Sequence, residues 1–332
     1  MIANGERIAV IGAGAWGTAL AQVIAGDGTP VLLWARDRRL VDEINHEHRN
    51  QLYLPNVSLS PAVHATADAR LLTDVPLWLV VVPAQHVRQI LAGFPLHERP
   101  TLLLCAKGIE AGSCALMSEV AAAVAPMSPV AVLSGPSFAA EVAAGKPTAV
   151  TIAAATLAPA AALAARLARP SLRPYASDDM VGCEIGGAVK NVLAIACGVV
   201  IGAGLGENAR AAVVARGFAE MTRFGLARGG RLETLAGLSG LGDLVLTCGS
   251  RQSRNMSLGV ALGEGRTAAE ALAGRRTVAE GAATAPVLVE AAARAGVEMP
   301  ITAAVADLLS GRADAREVID RLLARPLKAE GF

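Results

Sequence analysis

Short aliphatic runs alternate with helical segments through the first half of the chain, and this alternation most constrains the fold. Seven near-continuous apolar runs predict strands, at residues 7–11, 31–34, 77–82, 101–105, 130–134, 148–153 and 172–175. Such runs are typical of strands that helices cover on both faces. Helices are predicted between them, at residues 16–25, 37–45, 85–91, 113–124 and 159–167. The pattern predicts an α/β fold with an N-terminal Rossmann-type, doubly wound parallel sheet.

The pattern changes near residue 177, after which strand-like runs disappear. Alanine, leucine, glutamate and arginine then recur at helical spacing, which predicts helices at residues 182–200, 207–227, 279–295, 302–309 and 313–323. A chain of 332 residues is long enough for two domains. We therefore predict an α/β domain over residues 1–177 and a C-terminal all-helical domain over residues 178–332.

Composition excludes several classes of protein. Hydrophobic residues make up 53% of the chain and charged residues 18%, which excludes a disordered chain. The formal charge of +1 argues against a nucleic-acid partner or a membrane surface. The apolar stretches at 192–206 and 147–165 are too short or too interrupted for a membrane span. Five cysteines without a C-x-x-C pair predict neither a disulfide framework nor a metal site, and they favour the cytoplasm. The N-terminal residues lead directly into a glycine motif, so no signal peptide is expected.

That glycine motif follows the first predicted strand. Gly12, Gly14 and Gly17 form G-x-G-x-x-G, and a predicted helix begins within it. In this context the first glycine permits a tight turn, the second lets backbone N–H groups approach a pyrophosphate, and the third lets helix and strand pack closely. The alternative is a glycine-rich turn that binds nothing. The context favours dinucleotide binding by the first domain.

The residues after the second strand bear on the choice of dinucleotide. NAD sites usually place an acidic residue there, whereas this chain has Arg36, followed by Asp37, Arg38 and Arg39. A guanidinium suits the 2′-phosphate of NADP. We expect NADP (NADPH) to be preferred and NAD to be possible, because Asp37 could be the ribose ligand if the register differs by one. Arg38 and Arg39 are expected to be solvated.

Several polar clusters interrupt otherwise apolar sequence. The motifs that stand out are GAGAWGTA near the N-terminus, N-x-x-Y-L-P at residues 50–55, VVPA, AKGIE, SGPSFA, AVKN, GLGDL, SRN and the final V-x-E-G. Taken together, these motifs resemble the NAD(P)-dependent glycerol-3-phosphate dehydrogenases of bacteria over nearly the whole chain. Their order and spacing make the match specific. One departure is Ala15, where relatives often have serine, so a side-chain hydroxyl is missing there.

The resemblance implies roles for individual residues. It implies that Lys190 and Asp243 are catalytic, with Lys190 as proton donor and acceptor. The implied substrate-binding residues are Lys107, Gly135, Ser137, Lys190, Asn191, Asp243, Thr247, Ser253, Arg254 and Asn255. Together with the glycine motif, the predicted cofactor-binding residues are Gly12, Gly14, Ala15, Trp16, Gly17, Arg36, Lys107, Ala139, Arg254, Val278 and Glu280.

The residue types also favour Lys190 as the acid–base group. Reduction of dihydroxyacetone phosphate requires a proton for the developing alkoxide, and no histidine follows residue 97. Lysine can give and recover a proton, whereas arginine remains protonated. The chain has only four lysines, and Lys190 lies in an apolar predicted helix. The alternative is a lysine whose head group reaches solvent.

Each of the remaining candidate site residues has two possible interpretations. Asp243 and Thr247 are four residues apart and would share a helix face, but Asp243 could also be an N-cap. Arg254 and Asn255 could bind phosphate oxygens or lie in a solvated loop. Glu280 could contact the cofactor or be a first-turn helix acid. Gly186 and Gly187 could form a helix-packing patch or approach the nicotinamide.

The predicted function is the interconversion of dihydroxyacetone phosphate and glycerol 3-phosphate with NADPH or NADH, which supplies phospholipid synthesis. One alternative is a related two-domain NADP-dependent reductase of another oxo or hydroxy acid. A second is a non-catalytic dinucleotide-binding redox sensor. The expected partner is the small phosphorylated substrate, with neither nucleic acid nor a membrane span, and a homodimer is possible.

Overall fold

A computed structural model describes residues 7–96, 98–273 and 279–326. The chain divides into two compact units. The first contains Met1–Ala106 and Met117–Met180, and the second contains Lys107–Leu116 and Val181–Phe332. The division near residue 180 lies close to the predicted boundary at 177, but the segment 107–116 was predicted to belong to the first domain. Ile109, Cys114 and Leu116 are buried in the hydrophobic core of the second unit, and this burial explains the assignment.

The first unit is built on a sheet with the strand order β3-β2-β1-β4-β5-β6-β7-β8 among the described residues. The order β3-β2-β1-β4-β5-β6 is that of a dinucleotide-binding doubly wound sheet, and it reverses between β1 and β4. The strands are β1 (Ile8–Ile11), β2 (Val31–Trp34), β3 (Val63–Thr66), β4 (Leu77–Val80), β5 (Thr101–Leu104), β6 (Val130–Ser134), β7 (Thr148–Ala154) and β8 (Leu172–Ser177).

The sheet confirms the predicted fold class and departs from the prediction at two strands. The seven predicted strands are present, with ends that differ by at most two residues. β3 was not predicted, because it is an edge strand with the exposed His64 in its middle and lacks a continuous apolar run. β7 pairs antiparallel with β6, from Ala131 opposite Ala154 to Ser134 opposite Thr151. The link between these two strands carries a helix of only five residues and returns the chain in the opposite direction, without the crossover that parallel neighbours need.

The helices of the first unit are α1 (Ala15–Ile24), α2 (Arg38–Glu47), α3 (Val87–Ala92), α4 (Met117–Val124), α5 (Ala139–Ala143) and α6 (Leu157–Leu167). The helix predicted at 113–124 begins four residues later than expected. Cys114 has a φ of 58°, a left-handed conformation that a continuous α-helix cannot contain. Residues before α4 instead form an antiparallel bridge between Ile109 and Leu116.

Apart from the isolated bridge between Ile109 and Leu116, the regular structure described in the second unit is helical, as predicted. Its helices are α7 (Met180–Gly202), α8 (Gly206–Ala227), α9 (Leu232–Leu235), α10 (Asp243–Gly249), α11 (Arg254–Gly263), α12 (Ala268–Leu272), α13 (Glu280–Arg294), α14 (Pro300–Ser310) and α15 (Ala315–Leu323). The five predicted helices agree within two residues with α7, α8, α13, α14 and α15. The shorter α9 to α12 were not predicted as helices, because a few turns interrupted by glycine give little periodic signal.

Helix α7 forms the centre of the second unit. All of its residues from Gly182 to Val200 are buried, including Lys190 and Asn191. Among the described helices, it is the one long and apolar enough to cross a membrane. However, 89% of its most apolar 18-residue window is buried inside the protein. We therefore interpret α7 as a core helix.

Candidate functional site

The glycine motif of the first unit has the steric requirements that its pattern predicts. Gly12 has a φ of 111°, and a Cβ atom at this position would lie 2.8 Å from the carbonyl oxygen of Val81. A Cβ atom at Gly17 would collide with the carbonyl oxygen of Gly12, so close packing of α1 on β1 requires glycine there. A Cβ atom at Gly14 would meet nothing within 4 Å. The second glycine therefore faces open space that a ligand could occupy.

The N-terminus of α1 adjoins this opening. Gly14 is the N-cap and has no side chain that could bond to the first N–H groups of the helix. Ala15 and Trp16 are the first two helical residues. The first N–H groups of a helix have no acceptor within it, and the helix dipole adds partial positive charge there. This is the usual arrangement for binding a pyrophosphate. The missing hydroxyl at Ala15 leaves these backbone donors unchanged.

The end of β2 presents arginines. The strand ends at Trp34, and Arg36, Arg38 and Arg39 are all exposed. Asp37 is the N-cap of α2, and its Oδ1 accepts a hydrogen bond from the Arg39 N–H at 2.9 Å. The carboxylate that could have bound a ribose is thus engaged in capping. Arg36 lies nearest to the end of the strand, and its role as a 2′-phosphate ligand stays a prediction.

Three further predicted residues follow β6 in the first unit. Gly135 has a φ of 138°, and a Cβ atom there would lie 3.0 Å from the Cα of Val150. The Ser137 hydroxyl donates to the Gly135 carbonyl at 2.9 Å, and Ala139 begins α5. The three residues lie beyond the carboxyl end of a strand, where sheets of this type bind ligands. Their binding roles stay predictions.

The second unit contains a buried cluster of two lysines around one aspartate. Asp243 is fully buried, and its Oδ1 lies 2.6 Å from Lys190 Nζ while its Oδ2 lies 2.8 Å from Lys107 Nζ. Thr247 adds its hydroxyl, which accepts from Lys190 at 3.0 Å and donates to Asp243 Oδ1 at 3.3 Å. The predicted shared face of Asp243 and Thr247 is confirmed. The alternative that Asp243 caps α10 is wrong, because Gly242 is the N-cap and the carboxylate is bound to the lysines.

The electrostatics of this cluster suit proton transfer by Lys190. Burial lowers the pKa of Lys190 from 10.5 to about 8, the charge of Asp243 opposes this change, and the nearby charge of Lys107 adds to it. The pKa of Asp243 is lowered because the attraction of Lys107 and Lys190 outweighs the effect of burial. The cluster therefore holds one negative charge, on Asp243, beside an ammonium group whose pKa is about 8.

Close backbone packing holds this cluster in place. Residues Leu238–Gly242 form a π-helical turn immediately before Asp243. A Cβ atom at Gly186 of α7 would lie 2.5 Å from the Ser239 carbonyl oxygen and 2.8 Å from the Cα of Gly240. Gly186 thus packs closely against this turn, which agrees with the interpretation of a helix-packing patch. Its contact sets the distance between the helix that carries Lys190 and the turn that precedes Asp243.

A second cluster of polar residues in the second unit is centred on Asn255. Asn255 Nδ2 donates to Asn191 Oδ1 at 2.9 Å, and its Oδ1 accepts from the Gly281 N–H at 3.0 Å. The Ser253 hydroxyl caps α11 by accepting from the Met256 N–H at 3.2 Å, while Arg254 is exposed. The solvated-loop alternative is therefore wrong for Arg254 and Asn255, which begin a helix. Arg254 is the cation of this group that remains accessible.

Glu280 is the first residue of α13, which agrees with its interpretation as a first-turn helix acid, while its contact with the cofactor stays a prediction. Burial raises its pKa, and the charges of Arg254, Lys107 and Lys190 oppose that rise. Its carboxyl group thus lies within electrostatic reach of three cations of the second unit. Val278, the predicted cofactor residue two positions earlier, lies outside the described residues.

Among the described residues, the sequence analysis missed three buried acids, Asp179, Glu184 and Glu220, of which Glu220 is the least exposed. Glu220 of α8 is 1% exposed and accepts hydrogen bonds from the Ile301 N–H at 2.6 Å and the Thr302 N–H at 3.2 Å. Burial raises its pKa from 4.5 to about 7, although these hydrogen bonds oppose the change. Its partners are about eighty residues away in the chain, so no local pattern could have identified it.

Comparisons with known proteins identify the family. The model of the NAD-dependent glycerol-3-phosphate dehydrogenase N-terminus matches residues 7–160, and that of the C-terminus matches residues 179–320. The chain is 59% identical to a protein of Erythrobacter litoralis and 58% identical to one of Novosphingobium aromaticivorans, each over 98% of both chains. Both are named glycerol-3-phosphate dehydrogenase (NAD(P)+). A crystal structure of glycerol-3-phosphate dehydrogenase from Coxiella burnetii is 40% identical, with a TM-score of 0.92 over 97% of this chain and 100% of that one.

Proposed function

Because the chain belongs to the NAD-dependent glycerol-3-phosphate dehydrogenase family, we propose that it interconverts dihydroxyacetone phosphate and sn-glycerol 3-phosphate with NADPH or NADH. The observation that carries this proposal is the buried cluster of Lys190, Asp243, Lys107 and Thr247. A protein that only senses a dinucleotide has no need of a buried lysine whose pKa lies near neutral pH.

The cluster supplies the proton for the reaction. When bound, the nicotinamide cofactor supplies a hydride to the ketone carbon of dihydroxyacetone phosphate. Lys190 is mostly protonated at pH 7, because its pKa is about 8, and it donates a proton from Nζ to the developing alkoxide oxygen. In the reverse direction the neutral amine accepts the proton of the hydroxyl. Asp243 and Thr247 hold Nζ through Oδ1 and Oγ1 and so fix its direction.

The remaining cations favour a phosphorylated substrate. Lys107 and Lys190 together exceed the single charge of Asp243, so the cluster carries net positive charge when both are protonated. Arg254 is exposed at the first position of α11, where a guanidinium and helix N–H groups can both bind phosphate oxygens. The side chain of Asn255 is already bound to Asn191 and Gly281, so we assign it to holding α11, α7 and α13 together at this phosphate site.

The glycine motif and Arg36 fit the cofactor. The open side of Gly14 and the first turn of α1 would hold the pyrophosphate, and Arg36 would bind the 2′-phosphate of NADPH. We propose that NADPH is preferred to NADH on this basis. We further propose a cytoplasmic protein that supplies glycerol 3-phosphate for phospholipid synthesis, consistent with five buried free cysteines. A homodimer stays a prediction, which light scattering of the purified protein tests.

The direct test is the loss of absorbance at 340 nm when dihydroxyacetone phosphate is added to the protein with NADPH, and separately with NADH. We expect turnover with both cofactors and a higher kcat/KM with NADPH. Dihydroxyacetone without the phosphate is the matched control and should react far more slowly. Binding of NADPH without turnover of dihydroxyacetone phosphate would refute the proposed activity and favour a dinucleotide sensor. Turnover of an oxo acid in place of the phosphorylated ketone would favour the related reductase.

A further inference from the structure

Asn50 is a buried polar residue that the proposed function leaves without a role. It opens the N-x-x-Y-L-P element and is fully buried. Its Nδ2 donates to the carbonyl oxygen of Ala13 at 3.0 Å and to Thr18 Oγ1 at 2.8 Å. Thr18 is also fully buried, and its hydroxyl donates to the same Ala13 oxygen at 3.3 Å. Two side-chain donors thus converge on one carbonyl between the first two glycines of the motif.

The direction of that carbonyl determines the direction of the next N–H group. The described chain contains no cis peptide bond, and in a trans peptide the C=O of residue 13 and the N–H of residue 14 point to opposite sides. Asn50 and Thr18 hold the oxygen of Ala13 toward the protein interior. The N–H of Gly14 is therefore directed away from the interior. Within the described residues this N–H makes no hydrogen bond.

Asn50 is itself held firmly enough to impose this orientation. Its Oδ1 accepts from the Tyr53 N–H at 3.1 Å, and its backbone carbonyl accepts from the Leu54 N–H at 2.8 Å. Leu54 is buried in the core of the first unit and anchors the turn. The side chain of Asn50 thus connects a fixed turn to the glycine loop.

We propose that Asn50 is a positioning residue for dinucleotide binding, which orients the Gly14 N–H toward the cofactor pyrophosphate by holding the Ala13 carbonyl. This inference rests on the proposed function, since it requires that the glycine loop bind a dinucleotide. Without Asn50, the buried Ala13 carbonyl keeps only the longer hydrogen bond from Thr18. The cofactor must then order this peptide as it binds. The loss of one hydrogen bond of this kind corresponds to about a tenfold loss of affinity.

The test variant is Asn50→Asp, which keeps an oxygen for the Tyr53 N–H and replaces the amide donor to the Ala13 carbonyl and to Thr18 Oγ1 by a carboxylate oxygen. We expect the Kd values of NADPH and NADH, measured by quenching of tryptophan fluorescence, to rise by about the same factor of ten. The two cofactors share the pyrophosphate, so the ratio of their Kd values should not change. The kcat at saturating cofactor and the KM for dihydroxyacetone phosphate should stay near the parent values.

Asn45→Asp is the matched control. Asn45 also makes two hydrogen bonds through its amide, at 3.0 Å to the Ala65 carbonyl and at 2.8 Å from the Ala65 N–H, but these join α2 to β3. This variant should change the melting temperature without changing either Kd. Equal Kd values for folded Asn50→Asp and the parent would overturn the proposal. So would an equal loss of affinity in Asn45→Asp, because the effect would then be general destabilisation.

A second pair of variants applies if Asn50→Asp does not fold. Thr18→Val removes the other donor to the Ala13 carbonyl, and Thr18→Ser retains it. Weaker binding of both cofactors by the valine variant alone supports the proposal, and unchanged binding by both variants overturns it. If the parent protein binds neither dinucleotide, the proposed function is itself wrong, and this result is distinct from all the others.

Discussion

The positive charge of Lys107 should lower the pH at which Lys190 loses its proton. Both lysines bind the same carboxylate of Asp243, at 2.8 and 2.6 Å, and the positive charge of Lys107 lowers the pKa of Lys190. Two like charges about 4 Å apart interact by about 4 kcal/mol at an effective dielectric constant near 20. Asp243 compensates part of this repulsion, so we expect about half to remain. Because one pKa unit corresponds to 1.36 kcal/mol, Lys107→Met should raise the pKa of Lys190 from about 8 to about 9.5.

The oxidation of glycerol 3-phosphate measures this pKa directly. Lys190 must be neutral to accept the hydroxyl proton, so kcat should rise with pH, with a midpoint near 8 in the parent and near 9.5 in Lys107→Met. The assay is kcat at saturating NADP+ and substrate between pH 6 and 11. Lys107→Arg keeps the positive charge and should keep the midpoint near 8, even if its KM values change. An unchanged midpoint in Lys107→Met would refute the electrostatic role of Lys107, whatever happens to the rate.

Three further predictions concern single residues. Lys190→Met should lower kcat by about 10²–10⁴-fold with little change in NADPH binding, and Lys190→Arg should be nearly as inactive. Substantial turnover by the arginine variant would indicate that Lys190 only binds substrate. Arg36→Ala should raise the Kd of NADPH far more than that of NADH, and equal losses would exclude Arg36 as the 2′-phosphate ligand. Glu220 has a pKa raised from 4.5 to about 7, so the native state binds more protons than the unfolded state between these values. The parent should therefore lose about 3 kcal/mol of unfolding free energy, relative to Glu220→Gln, as pH rises from 4.5 to above 7. Urea unfolding at several pH values measures this difference, and parallel pH dependences of the two proteins would contradict it.

Local sequence patterns determined the elements and the chemistry of the candidate site. The apolar runs predicted seven of the eight described strands, because a strand that helices cover on both faces consists almost entirely of apolar residues. The glycine spacing predicted the loop at Gly12, Gly14 and Gly17, because the roles of these glycines, a tight turn, access for a ligand and close helix packing, depend on local structure. The rarity of lysine and the absence of late histidines favoured Lys190 as the acid–base group.

The tertiary structure decided what depends on residues far apart in the chain. Asp243 became the common partner of Lys107 and Lys190, which are 136 and 53 residues away, and no local pattern could decide between this role and a helix cap. Segment 107–116 joined the second unit because its apolar side chains are buried there. The side chain of Asn50 forms a hydrogen bond to Ala13 of the glycine loop, which is 37 residues earlier in the chain. Burial and long-range hydrogen bonds set the pKa of Lys190 and the orientation of the Ala13 carbonyl, and both arise only when the chain has folded.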